Sequence, residues 1–135
     1  MQPDSSAFVA DPDLIHVLDA QATIVPCETD RVLFRQDEPA VGVYILHQGE
    51  VTLTMAAHDG RTIFSVQAMP GSLLGLPGVV SEQPYSLTAT VRAGAQVSFV
   101  SCDAFTTLMK SEPLWSLKIL QVLAAEVRTA RKALL

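Results

Sequence analysis

The chain has 135 residues, 49% of them hydrophobic and 17% charged, and a formal net charge of −5. That length builds one ordinary domain with a core of its own. Polar residues or prolines break every apolar run before the roughly 20 residues a membrane span needs, and the acidic balance argues against DNA contact by this chain alone, since phosphate contacts need a basic surface.

The opening residues, MQPDSSAFVADPD, carry no Lys or Arg and no long apolar core, so they do not read as a signal peptide. There are two cysteines, Cys27 and Cys102. The simplest expectation is a cytoplasmic protein with reduced, partly buried thiols, with a disulfide between the two left open. A four-thiolate iron–sulfur cluster has too few ligands. The apolar excess points to a buried partner surface, most simply a dimer seam.

In chain order, residues 1–10 read as a loose arm. Asp11-Pro12-Asp13 is a helix start, with Asp as cap, Pro at the first helical position and an acid in the first turn. A short helix is expected from about Pro12 to Ala20. Short strands follow at Ala22–Pro26, Val32–Phe34 and Val43–His47. Val51, Leu53 and Met55 alternate with Thr52 and Thr54, the period of a half-buried strand. Asp59-Gly60 supplies a hairpin turn, and Thr62–Ala68 resumes the alternation.

Gly71 to Val91, GSLLGLPGVVSEQPYSLTATV, is the most distinctive stretch. A glycine turn that opens a short helix and leads back into a strand is a backbone arrangement able to cradle an anion. Ala95–Val100 closes the set of about eight strands. Strands this short and evenly spaced predict a sandwich, jelly roll or barrel.

From Ser101 the pattern becomes helical. Ser101 caps a short helix over 102–110. Ser111-Glu112-Pro113 opens a longer helix, and Arg128, Arg131 and Lys132 suit its last turns. Along it Ser116, Leu120, Leu123, Val127, Ala130 and Leu134 recur at spacings of four and three, the pattern of a coiled-coil seam. The expected division is a β-barrel with its N-terminal helix and short helix over 1–112, and a long helix over 113–135 that joins two copies.

RVLFRQDEPAVGVYILHQGEVTLTM, the DG hairpin, GSLLGLPGVVSEQPYSLTATV, SCDAFTTLMKSEP and the long helix together resemble the cyclic nucleotide-binding domain. More closely, the chain resembles the sensor domain of catabolite-activator-type (Crp/Fnr) bacterial transcription regulators, and the resemblance runs from about Arg31 to Leu135. It implies a mainly β fold: an eight-stranded jelly-roll barrel with a short N-terminal and a long C-terminal helix. It also implies a non-enzymatic regulatory domain, a homodimer and a small-molecule effector. In the family a Glu holds the ribose and an Arg, helped by the next hydroxyl, pairs with the cyclic phosphate. Here Gly75 matches the family's Gly, Leu76 stands in place of the Glu, and Tyr85 stands in place of the Arg. Ser86 matches the hydroxyl residue, and Thr88 begins the strand that follows. Thr129 stands where relatives place a base-contacting hydroxyl.

A buried phosphate needs a cation or several strong donors, and Tyr85 offers one neutral O–H. With Gly75, Leu76, Gly78, Tyr85, Ser86 and Thr88 as the cradle, useful binding of cyclic AMP or cyclic GMP is not expected. The alternatives are a filled pocket on a protein-interaction scaffold, a different small ligand, or weak retained nucleotide binding. No cofactor is expected. His16, His47 and His58 are scattered and no two share a short ligand spacing, so no metal is expected either. A DNA-binding segment beyond Leu135 would mark the chain as the sensor half of a regulator; otherwise it is a stand-alone module.

Overall fold

The computed structural model describes residues 5–134, and its frame is two four-stranded antiparallel sheets whose inner faces share one core. A 3₁₀ turn at Ser5–Phe8 leads into helix α1, Pro12–Asp19. Strands β1 (Thr23–Val25), β2 (Arg31–Phe34), β3 (Gly42–Gln48), β4 (Val51–Ala56), β5 (Thr62–Ala68) and β6 (Ser72–Leu74) come next. Helix α2 (Leu76–Ser81) interrupts them before β7 (Thr88–Val91) and β8 (Gln96–Ser101). Helices α3 (Cys102–Ser111) and α4 (Pro113–Leu134) complete the chain. One sheet runs β1-β8-β3-β6 and the other β2-β7-β4-β5. This is the jelly-roll barrel with flanking helices that the sequence leads one to expect.

The two sheets differ in what covers them, and their sequences show it. β4 and β5 bury Val51, Leu53, Phe64, Val66 and Ala68 while alternate residues stay more accessible. One buried face gives the period of two. In β3 the run is almost wholly apolar, because both faces are covered. Leu46 joins the barrel core, whereas Val43 and Ile45 join a second cluster beneath the helices. Leu74 and Leu73 of β6 divide in the same way. The second cluster holds Leu14 and Leu18 of α1, Leu76 and Val79 of α2, Phe105 of α3, and Ile119 and Val122 of α4.

Two expectations need correction. Of the expected loose arm, residues 5–10 are packed: Phe8 is buried in the barrel core, Val9 bridges to Ser72, and the Ala10 N–H donates to the Gly71 carbonyl at 3.0 Å. Ala7 and Phe8 join the barrel core, and the Ser5–Phe8 turn packs against α4, β5 and β6. β6 is a separate strand inside the stretch expected to run from turn to helix. At three residues it is too short to show a period. The cysteines are unpaired: Cys27 lies in the barrel core and Cys102 beside the second cluster, and burial raises both thiols above their usual range.

Candidate functional site

The central stretch folds as a strand, a left-handed glycine, a one-and-a-half-turn helix and a return strand. Gly75, at φ +86°, is the residue before α2. A side chain there would be strained, and its Cβ would lie 2.8 Å from Tyr85 Cε1. At Gly78 a Cβ would lie 2.9 Å from the Gln83 carbonyl oxygen. Both glycines are therefore required by packing within the turn itself, whether or not a ligand approaches.

Tyr85 does not point into the cradle. It is 2% exposed and stacks on Phe34, with ring centroids 4.2 Å apart. Its hydroxyl donates to the Gly42 carbonyl and accepts from the Val41 and Gly42 N–H groups at 3.1 and 3.2 Å. Its backbone N–H donates to the Glu38 carbonyl, and its own carbonyl accepts from the Asp37 N–H. Side chain and backbone together clamp the 37–42 loop, where Asp37 sits at φ +72°. Burial raises the phenol above its usual range, opposed by the two N–H donors. The hydroxyl expected to face a ligand is fully committed elsewhere.

The other cradle candidates separate too. Leu76 is completely buried in the second cluster. The Thr88 hydroxyl accepts from the Gln36 N–H at 2.9 Å, and Thr88 does not line the cavity between the barrel and α4. Gly75, Gly78 and Ser86 do come together, with Leu87, along one wall of a cavity of about 260 Å³. The cavity lies between the barrel and α4. Phe8, Phe34, Phe64, Leu53, Met55 and Leu74 form its floor. No Arg or Lys lines it among the described residues.

α4 closes the cavity with Leu123, Glu126, Val127 and Ala130. The helix carries two stripes. Trp115, Ile119, Val122, Glu126 and Thr129 recur at spacings of four and three and face the protein, with Ile119, Val122 and Thr129 buried. Leu117, Leu120 and Val127 are more than half exposed. Of the expected seam, Leu120 and Val127 thus lie open, while Leu123 and Ala130 are partly buried against the cavity. The side chain of Leu134 lies outside the described residues. Thr129 is buried on the inward stripe and does not line the cavity.

Sequence reasoning missed Glu126. Burial against apolar walls raises its carboxyl to about 8, and no hydrogen bond or charge among the described residues offsets that. A lone acid inside the apolar run Val122–Val127 was the available signal. Also missed was a tie between helices: Lys118 of α4 reaches Asp11, the cap of α1, at 2.9 Å. That hydrogen bond, more than the cap's own N–H contacts, lowers the Asp11 carboxyl.

Asp19, His47 and Ser98 also converge. Asp19 Oδ1 and Ser98 Oγ both approach His47 Nε2, at 3.0 and 2.9 Å. A nucleophilic relay needs the acid and the hydroxyl on opposite ring nitrogens. This cluster joins α1 to β3 and β8 and has no relay geometry.

The family profile described as "Cyclic nucleotide-binding domain" matches residues 24–112, about two thirds of the chain. The chain belongs to the cyclic nucleotide-binding domain family. Its fold is similar to the catabolite activator protein of Thermus thermophilus, with a TM-score of 0.75 and 19% identity over 92% of this chain. It is similar to the sensor domain of the transcriptional regulator DNR from Pseudomonas aeruginosa, with a TM-score of 0.68 and 20% identity. That match covers 90% of this chain and 82% of the sensor domain. FixK2 from Bradyrhizobium japonicum gives a TM-score of 0.68 and 24% identity, over 82% of this chain and 55% of FixK2. This cyclic nucleotide-binding domain spans 58% of the length of the Thermus protein. At these identities the likeness concerns the fold. No curated protein sequence matches the chain. Among the described residues no helix is long and apolar enough to cross a membrane.

Proposed function

We propose that this cyclic nucleotide-binding domain is a non-enzymatic sensor whose cavity takes a small apolar molecule in place of a cyclic nucleotide. The observation that carries this reading is the cavity wall: mostly aromatic and aliphatic side chains, with one hydroxyl (Ser86), one carboxyl (Glu126) and no basic residue among the described residues. A cyclic phosphate would enter without a cation and beside an acid. Each missing charge-assisted contact costs about 1.5–3 kcal/mol. Losing two turns a micromolar binder into one of about millimolar affinity. Apolar cavities of on the order of 150 Å³ stay dry and accept apolar guests, which favours a small ligand over a filled pocket.

α4 both walls the cavity and exposes an apolar stripe, so an occupant that contacts Leu123 and Val127 biases the helix position. Signalling then follows as a population shift between helix arrangements. The stripe at Leu117, Leu120 and Val127 supports a homodimer through α4. The resemblance to Crp/Fnr sensor domains supports a place in a cytoplasmic transcription regulator or a stand-alone relative, with no DNA contact by this chain alone. Calorimetry with cyclic AMP and cyclic GMP tests the reading. The expected result is no binding tighter than about 10 µM; binding below that sinks it.

A further inference from the structure

The cavity contains one feature that an apolar guest alone does not explain. Glu126 is partly buried on the wall of a cavity whose only other polar side chain among the described residues is the hydroxyl of Ser86, and it has no partner among the described residues. An acid held this way is costly to the folded chain unless something pairs with it. We propose that the cavity binds a small lipophilic amine as its ammonium ion, with Glu126 as counter-ion and Phe8, Phe34 and Phe64 as its aromatic surround. This rests on the reading that the cavity takes an apolar small molecule.

Three ligand charges compete, and the walls discriminate among them. An anion meets a carboxyl and, among the described residues, no basic side chain, so it is disfavoured. A neutral molecule accepts at most one ordinary hydrogen bond from the protonated acid. An ammonium ion makes charge-assisted hydrogen bonds, which are roughly twice as strong as neutral ones. It also gains attraction from aromatic rings, and the cavity presents three phenyl groups. The size fits a short-chain amine: about 260 Å³ divided by about 30 Å³ per water-sized group gives roughly nine such groups.

Binding has a proton balance. In the empty cavity Glu126 keeps its proton near neutral pH, since burial holds its carboxyl at about 8. When an ammonium ion enters, that proton leaves to the buffer and the carboxylate pairs with the ligand. Among the described residues no other side chain lining the cavity titrates, so a proton released there is assigned to Glu126.

The test is calorimetry on the full chain with three probes of equal length: octylamine, octanol and octanoate. Near pH 7 octylamine is expected to bind at least about 10-fold tighter than octanol, and octanoate weaker than both. Repeating the octylamine titration in two buffers of different ionisation enthalpy is expected to show close to one proton released per site. Glu126→Gln is expected to abolish the preference for the amine while octanol binding stays within about 3-fold. If octylamine and octanol bind alike, the amine proposal falls and the apolar cavity stands. If none of the three binds, both fall. Should Glu126→Gln fail to fold, the two-buffer measurement on the unaltered chain decides, and no proton release overturns the proposal.

Discussion

The Tyr85 hydroxyl sits 2.7 Å from the Gly42 carbonyl oxygen and also accepts from the Gly42 N–H. One side chain thus satisfies both polar groups of one buried residue, and holds the 37–42 loop against the turn that precedes β7. Removing the hydroxyl leaves those groups without their partner while the ring keeps its stack on Phe34. Tyr85→Phe is expected to cost about 1–3 kcal/mol of stability. Urea unfolding should show a lower midpoint at unchanged slope. A loss under about 0.5 kcal/mol would mean the loop is held by other contacts.

Gly75 and Gly60 separate strain from crowding. Both have positive φ, +86° and +85°. A Cβ on Gly60 meets nothing within 4 Å, whereas one on Gly75 meets Tyr85 at 2.8 Å. Gly60→Ala should therefore cost only the left-handed penalty, about 1–2 kcal/mol. Gly75→Ala should cost that and a further 1–3 kcal/mol or so for overpacking. Equal losses in parallel unfolding experiments would show that Tyr85 yields without cost.

These two residues also explain how far the sequence could be read. The alternation of β4 and β5 is visible because one face is buried and the other is not. The departure at Tyr85 is visible as a residue type, but its direction is not. Tyr85 precedes β7, outside the ladder, so no strand register assigns it a face. Leu76 is legible as apolar, yet α2 places it in the cluster beneath the helices and not on the cavity wall. On α4 two apolar stripes overlap along one helix, and the outer one drew attention because its spacing resembles a seam. The inner stripe of Ile119, Val122 and Glu126 becomes visible only once the barrel is in place. Asp19, His47 and Ser98 are 28 and 51 residues apart in pairs, beyond any short-range pattern.

The open stripe on α4 gives a prediction about assembly. Leu120 and Val127 are 60% and 56% exposed. Burying such a side chain contributes about 1.5–3 kcal/mol, and in a symmetric pair each substitution acts twice. Leu120→Glu is expected to weaken the dimer by roughly 100-fold or more. Val127 lines the cavity as well, so Val127→Glu would confound two effects and Leu120 is the cleaner choice. Sedimentation equilibrium should show a concentration-dependent dimer that becomes a monomer in the variant. A monomer for the unaltered chain at micromolar concentration refutes the seam.

Glu126 makes stability depend on pH with a definite sign. Its carboxyl titrates at 4.5 ordinarily and at about 8 in the folded chain. Between those values the unfolded chain has lost the proton and the folded chain still holds it. The folded state therefore binds more protons, and stability from this group falls as pH rises through that interval. Below 4.5 both states are protonated and the group costs nothing by ionisation; above about 8 both are ionised and the penalty is complete. At about 1.4 kcal/mol per unit the ceiling is on the order of 5 kcal/mol, before water entering the cavity reduces it. Glu126→Gln removes the ionisable group without removing its volume. The variant should match the unaltered chain near pH 4, exceed it increasingly up to about pH 8 and hold a constant margin above that, with protein concentration fixed because assembly also shifts apparent stability. Parallel curves across that range would mean the carboxyl reaches water in the folded chain, and that the cavity wall opens at α4.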